Sequence, residues 1–363
     1  MRWLGWAVVV WMGVALPAWA VTPAAPVRDW GILIYPATDE LGDVGLFFAW
    51  EKREKAAFAE VQALKPTRLV LTTTWKDIEP EAGEVDLDHV TRHVGHIEAM
   101  GAGVLFGLQM VNTTQKELPE DLQEVAWDSD AMKQRVVGII DRVVPLMARG
   151  RVQYLSLGNE VDVYFAAHPD ELAAYGRLME HAMAHVRTVY PHVKTGVTVT
   201  FDSVRTDAAM VVALNRASDV FMLTYYPITD GKVRDPQAPF VDIPEAMRVA
   251  GGKPLVFQEA GYPSAALLGS TEEKQAAFVT AMLAAQAKFP DAVAYVNLFA
   301  QHDFNTNMCN QLTAYYGVEA NPYFAASICT LGLKHSDGTP KKAWALLKDD
   351  VAPAALRGTN GIQ

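Results

Sequence analysis

Two glutamates stand out because each closes a short, largely apolar run. Glu160 ends Leu157-Gly158-Asn159-Glu160, and Glu259 sits within Phe257-Gln258-Glu259-Ala260-Gly261-Tyr262-Pro263. A carboxyl at the end of a buried apolar segment costs free energy unless it is hydrogen-bonded or paired, so its presence there calls for a reason. Two carboxyls on either side of an acetal carbon can cleave a glycosidic bond, one protonating the departing oxygen and the other attacking carbon. In that case they lie about 5 to 5.5 Å apart. Residues this distant in the chain meet only if the fold carries both to one place, so the elements that bear them decide the matter.

Short runs rich in Val, Leu, Ile and Tyr recur at Trp30–Tyr35, Arg68–Thr74, Gly103–Met110, Val152–Gly158, Lys194–Thr200, Asp219–Tyr226, Pro254–Glu259 and Ala292–Phe299. Their starts are spaced by about 37 residues, enough for a strand, a loop and a helix. Helical stripes lie between them. Ala57, Phe58, Val61 and Leu64 share one face of Glu51–Leu64, and Leu172, Tyr175, Leu178, Met179, Ala182 and Val186 share one face of Pro169–Val189. Ser270-Thr271-Glu272-Glu273 reads as a capping box, with Ser270 and Glu273 satisfying the first amides of the next helix. Strand and helix alternating eight times predicts an α/β fold, a (β/α)8 TIM barrel. The eightfold count separates it from an open doubly wound sheet. No linker interrupts residues 30 to 350, so residues 21–363 are expected to form one domain.

The first twenty residues carry one charge, Arg2, then an apolar run from Trp3 to Leu16, Pro17, and Ala18-Trp19-Ala20. This predicts a cleaved signal peptide over residues 1–20 and a secreted or periplasmic protein. No later stretch has the roughly 20 apolar residues of a membrane span, and no Cys follows Ala20 to take a lipid, so no membrane anchor is expected. The formal charge of −11 repels phosphate backbones and argues against nucleic acid, while a neutral glycan remains compatible. The two cysteines, Cys309 and Cys329, are expected to form a disulfide in an oxidising compartment. They are too few for a cysteine metal centre, and no metal or other cofactor is expected.

In a parallel barrel all strands end on the same face. The residues that share this mouth are Tyr35, Trp75, Asn112, Asn159 and Glu160, Asp202, Tyr225 and Tyr226, Glu259, and Asn297 through Asp303. Polar and aromatic side chains dominate there, as suits a sugar with hydroxyls to bond and ring faces to cover.

Asn-Glu closing strand four and Glu closing strand seven resemble the signature of the clan A retaining glycoside hydrolases, which are (β/α)8 enzymes. Ser218 through Pro227 is similar to the strand-six segment of the family 53 endo-β-1,4-galactanases. Glu259-Ala260-Gly261-Tyr262-Pro263-Ser264 resembles the nucleophile segment of that family and of the family 17 β-1,3-glucanases, where a Trp usually stands in place of Tyr262. Trp75 through Gly83 is similar to the strand-two segment of many clan members, and Gly332, Gly338, Lys341 and Trp344 sit in a stretch resembling their last helix. Where clan members commonly end strand eight on a Trp, this chain reads Val296-Asn297-Leu298-Phe299-Ala300-Gln301-His302-Asp303.

The resemblance implies a retaining glycosidase acting on a β-linked glycan, with Glu160 as acid/base and Glu259 as nucleophile. Asn159 would then bond the sugar 2-hydroxyl. One of Tyr225 and Tyr226 would donate to Glu259 while its neighbour faces the barrel wall, and the resembling segments favour Tyr225. Trp75, Trp127, Tyr262 and Phe299 are candidates to stack on sugar rings, with a core role as the alternative. Asn112 and His302 are expected to help shape the subsites, and Asp202 reads as a solvated loop acid. A transglycosylase with the same covalent intermediate and a non-catalytic glycan-binding barrel are the rival readings. The strand-six and strand-seven likeness leans towards endo action on galactan or glucan, by a monomer.

Overall fold

The computed structural model describes residues 29–38, 46–147 and 153–351. The expected signal peptide lies outside the described residues, as does Val152. All eight runs form strands: β1 (Trp30–Ile32), β2 (Arg68–Thr74), β3 (Gly103–Asn112), β4 (Gln153–Asn159), β5 (Val193–Gly196, resuming as Thr198–Thr200), β6 (Phe221–Tyr225), β7 (Leu255–Ala260) and β8 (Val293–Leu298). Every ladder among these eight is parallel.

Two seams join the ladders into a circle. Within β5, Val193–Gly196 pairs with β4 and Thr198–Thr200 with β6, so the chain changes neighbour at Val197. Between β1 and β2, Thr67 does the joining: its N–H donates to the Trp30 carbonyl at 3.0 Å, and its hydroxyl accepts the Trp30 N–H at 2.8 Å. The result is the expected (β/α)8 barrel.

Alternation along each strand sorts side chains to two cores. Val70, Leu105, Tyr154, Val220, Met222, Val256 and Tyr295 fill the barrel itself. Their odd-even counterparts, such as Leu69, Phe106, Leu223 and Phe257, join the larger cluster between strands and helices. The helices include Leu46–Leu64, Asp88–Ala99, Asp130–Val143, Leu172–Val189, Pro239–Ala250 and Glu272–Lys288. Their apolar stripes face the strands as the periodicity predicts, with Val61, Leu64, Tyr175, Leu178 and Val186 buried.

One cap falls a residue later than expected. Thr271 accepts the Lys274 N–H, whereas the Ser270 hydroxyl is buried without a hydrogen-bond partner. After β8 the chain makes an excursion before its closing helix Lys342–Leu346. Two helices, Thr306–Tyr315 and Pro322–Ile328, lie beside the mouth, and the expected Cys309–Cys329 disulfide ties one to the end of the other. Among the described residues no helix is long and apolar enough to cross a membrane.

Candidate active site

β4 delivers Glu160 through an unusual backbone. Gly158 has φ 122°, and a Cβ there would stand 2.5 Å from Val161 Cγ1, so this position takes only glycine without rearrangement. Glu160 itself is left-handed, with φ 48°, as is Thr113 beside it at φ 54°. Such conformations cost on the order of 1 kcal/mol or more for residues other than glycine, and they persist where the surroundings hold them. Here they bring the Thr113 hydroxyl to 2.9 Å from Glu160 Oε2, and Thr224 Oγ1 donates to Oε1 at 2.7 Å. Burial raises the Glu160 pKa, and the charges of Asp162 and Asp202 add to the rise. The two threonine hydrogen bonds oppose it.

β7 reaches the same place by a different device. Val256 and Gln258 of this strand face into the barrel, so regular alternation would turn Glu259 outward. The ladder to β6 slips between Phe257 and Glu259, pairing them with Leu223 and Thr224. This bulge lets consecutive residues both face inward. Tyr226 then donates its phenol to Glu259 Oε2 at 2.5 Å. Burial raises the Glu259 pKa, the Glu160 charge raises it further, and the Tyr226 hydrogen bond pulls the other way. Two neighbouring carboxyls of this kind retain a shared proton to higher pH than either would alone.

Beneath the pair runs a chain of amides. Asn159 Oδ1 accepts from Gln258 Nε2 at 2.8 Å, and Asn159 Nδ2 donates to Asn112 Oδ1 at 3.1 Å. Gln258 Oε1 accepts from Thr198 at 2.8 Å, and Asn112 Nδ2 donates to the Tyr315 hydroxyl at 3.1 Å. The Asn159 orientation is thereby set from both ends, and its amide still has a second N–H to offer.

These groups line a cavity of about 440 Å³ at the C-terminal ends of the strands. Its barrel side is polar: Gln109, Asn112, Thr113, Asn159, Glu160, Asp202, Tyr226 and Glu259. The other side comes from β8 onward, with Phe299, Phe304, Tyr316, Phe324 and Ile328 among its residues. Asp202, expected as a solvated loop acid, is indeed exposed, but it lies in the short helix Phe201–Thr206 and lines the cavity, where partial desolvation raises its pKa.

Several expected site residues are elsewhere. Tyr225, favoured as the partner of Glu259, points outward and donates to Asp242 at 2.7 Å. The inward parity of Met222 and Thr224 along β6 continues to Tyr226, and this alternation was the readable signal. Trp75 is fully buried, because Thr74 caps a helical turn, Trp75–Ile78, in which the indole N–H donates to Glu79 at 2.7 Å. Trp127 is buried too, its indole bonded to Glu171. Tyr262 stacks on Phe278 at 5.1 Å and donates to the Arg234 carbonyl. His302 is buried behind the mouth, its Nδ1–H bonded to the Tyr35 carbonyl at 2.6 Å. Missed in the sequence were Thr113 and Thr224, the hydroxyls on Glu160, and most of the wall after β8. No cluster of three or more His, Cys, Asp or Glu able to hold a metal occurs among the described residues.

No family model and no curated protein matches the chain. Solved structures do match. An exo-β-1,4-mannosidase from Opitutaceae bacterium strain TAV5 superposes with a TM-score of 0.67 at 17% identity, covering 93% of this chain and 62% of that one. GH5_18 from Streptomyces cattleya, in complex with GlcNAc, gives 0.67 at 17%, covering 93% and 82%. A family 39 glycoside hydrolase from Bacteroides cellulosilyticus WH2 gives 0.56 at 14%, covering 90% and 63%. The chain shares the barrel fold of clan A glycoside hydrolases. The named families are 5 and 39; families 53 and 17, whose segments the sequence resembles, are not among these three. The chain spans about three fifths of the mannosidase's length.

Proposed function

We propose that the protein is a retaining glycoside hydrolase acting on a β-linked glycoside, with Glu160 as acid/base and Glu259 as nucleophile. The observation that carries this reading is the meeting of the two carboxyls in one cavity, each held by inward hydroxyl donors and each raised in pKa by burial. A pair that shares one proton has an acid and a base ready together, which is the state the first step needs. Glu160 gives its proton to the glycosidic oxygen as the Glu259 carboxylate attacks the anomeric carbon. The C–O bond to the leaving group breaks and an ester to Glu259 forms. Glu160, now ionised, takes a proton from water, whose oxygen attacks the same carbon and releases Glu259.

Asn159 is suited to bond the 2-hydroxyl, since its amide is oriented from both sides and has a donor to spare. Among structures sharing the fold, one is named an exo-β-1,4-mannosidase and another was solved with Manβ1-4GlcNAc, which favours a β-linked substrate here. The apolar N-terminal run and the Cys309–Cys329 disulfide support export to an oxidising compartment.

The test is a pair of variants on activated aryl and natural-type glycosides. Glu259→Ala should lose turnover on every substrate, and azide should restore it with inverted configuration. Glu160→Ala should lose most on poor leaving groups and least on activated phenols, with azide giving a product of retained configuration. Unchanged kinetics in both variants would move the chemistry elsewhere.

A further inference from the structure

The cavity has two faces of opposite character, and the reaction proposed above uses only one. Opposite the hydrogen-bonding groups of the barrel stands a wall from the excursion after β8, on which Phe304, Leu312, Val318, Phe324, Ile328 and Leu331 offer no polar side-chain atom and Tyr316 and Ser327 each offer one hydroxyl. Of the apolar six, all but Leu331 keep part of their surface open, and helix Pro322–Ile328 buries none of its residues. Apolar side chains left open in a cavity forfeit the stabilisation that contact would bring, and a contiguous group of them marks a place where something apolar docks.

The wall is also fixed. The Cys309–Cys329 disulfide joins its two helices. Tyr315, the last residue of the first helix, accepts from Asn112 at 3.1 Å and donates to Glu117 at 2.5 Å, while its carbonyl accepts from Gln115 at 2.9 Å. At the far end the buried Lys341 ammonium bonds Asp303 at 2.7 Å and the Thr330 carbonyl at 3.3 Å. A surface anchored at three places is preorganised for its ligand and loses little freedom on binding.

We propose that this wall binds an apolar aglycone, alkyl or aryl, joined through the glycosidic oxygen to the sugar held on the barrel side. The substrate is then an amphipathic β-glycoside and not a polysaccharide. The proposal rests on Glu160 and Glu259 as acid/base and nucleophile, because they fix where the sugar ends and the leaving group begins. A second sugar in this position would bring a rim of hydroxyls against mostly apolar side chains, with only the Tyr316 and Ser327 hydroxyls on that wall to partner them. Each hydroxyl desolvated in that way opposes binding.

The full chain can be assayed on methyl, butyl and hexyl β-D-mannopyranosides, glucopyranosides and galactopyranosides below their micelle concentrations, beside the corresponding β-1,4-disaccharides and 4-nitrophenyl glycosides. The n-alkanols are nearly equal as leaving groups, so proton donation by Glu160 is constant along a series and kcat/KM reports contact with the wall. On the sugar that is turned over, kcat/KM should rise about fourfold per buried methylene, corresponding to about 0.8 kcal/mol each. Ile328→Asn and Phe324→Ser, at partly open positions, should each lower the hexyl-to-methyl ratio by about tenfold or more. A flat wild-type series, or a disaccharide cleaved more efficiently than the hexyl glycoside, overturns the apolar assignment and leaves the carboxyl pair standing. Failure to turn over any of these glycosides, the 4-nitrophenyl compounds included, defeats both readings together.

Discussion

Exchanging Tyr226 for Phe removes one oxygen atom, the phenol that donates to Glu259 Oε2 at 2.5 Å. The ring has its own reasons to stay, lying edge-on to Phe299 with centroids 6.0 Å apart and against Gly261. The consequence is therefore electrostatic. The lost hydrogen bond favoured the ionised carboxyl, against burial and the Glu160 charge. A hydrogen bond to a charged group contributes about 1.5–3 kcal/mol, so its removal should raise the Glu259 pKa by about one to two units. Ionised Glu259 is the attacking form, and activity is lost as pH falls through its pKa. Raising that pKa moves the acidic limb of kcat/KM to higher pH by the same one to two units, and activity on the acidic side falls about 10- to 100-fold. Tyr225→Phe is the matched control. Its phenol serves Asp242, which keeps the Arg234 guanidinium at 2.6 and 2.9 Å. That variant should lose about 1 kcal/mol of stability and keep its pH profile. The assay is a pH–rate profile on an activated aryl glycoside for both variants and the parent. An acidic limb unmoved in Tyr226→Phe, or displaced in Tyr225→Phe, would refute the assignment of roles along β6.

Glu259→Gln should raise the thermal midpoint at alkaline pH by about 2–4 °C, the shift that roughly 1 kcal/mol brings in a large domain. The folded-state pKa of Glu259 is raised, so the penalty for ionising it is fully present above that pKa and fades as pH falls; a gain growing on acidification would contradict the linkage. Denatured but unreduced protein should show no reactive thiol, and reduction should cost about 3 kcal/mol of stability on the chain-entropy model; two titratable thiols would disprove the disulfide. Gly261→Ala would set a Cβ 2.6 Å from Tyr226 Cε1 and 3.0 Å from the Phe299 carbonyl, displacing the phenol from Glu259. Its kcat/KM should fall about tenfold or more, and full activity would show that Tyr226 does not need its observed place.

The eight strands, their order and the gathering of Glu160 and Glu259 at one mouth were legible in the sequence. Hydropathic period identifies a strand or a helix locally, and a parallel barrel brings every strand end to the same face whatever the details. Which way a residue faces at that end is a different kind of fact. Glu160 enters the cavity through a left-handed backbone held by its surroundings, and Glu259 enters through a bulge defined by the pairing of β7 with β6. Tyr226 could have been preferred to Tyr225 from the alternation of Met222 and Thr224, because β6 stays regular to its end. Trp75, Tyr262 and His302 could not be assigned that way, since each lies just past its strand, where a helical turn, a ring stack and a carbonyl from another loop decide its direction. The apolar wall was invisible for the same reason. Leu312, Val318, Phe324 and Ile328 look like ordinary core residues in sequence, and only the disulfide, the Tyr315 bonds and the Lys341 anchor turn them towards the carboxyls. Local composition sets which elements form, whereas the direction of a side chain at an element's end depends on contacts with residues far along the chain.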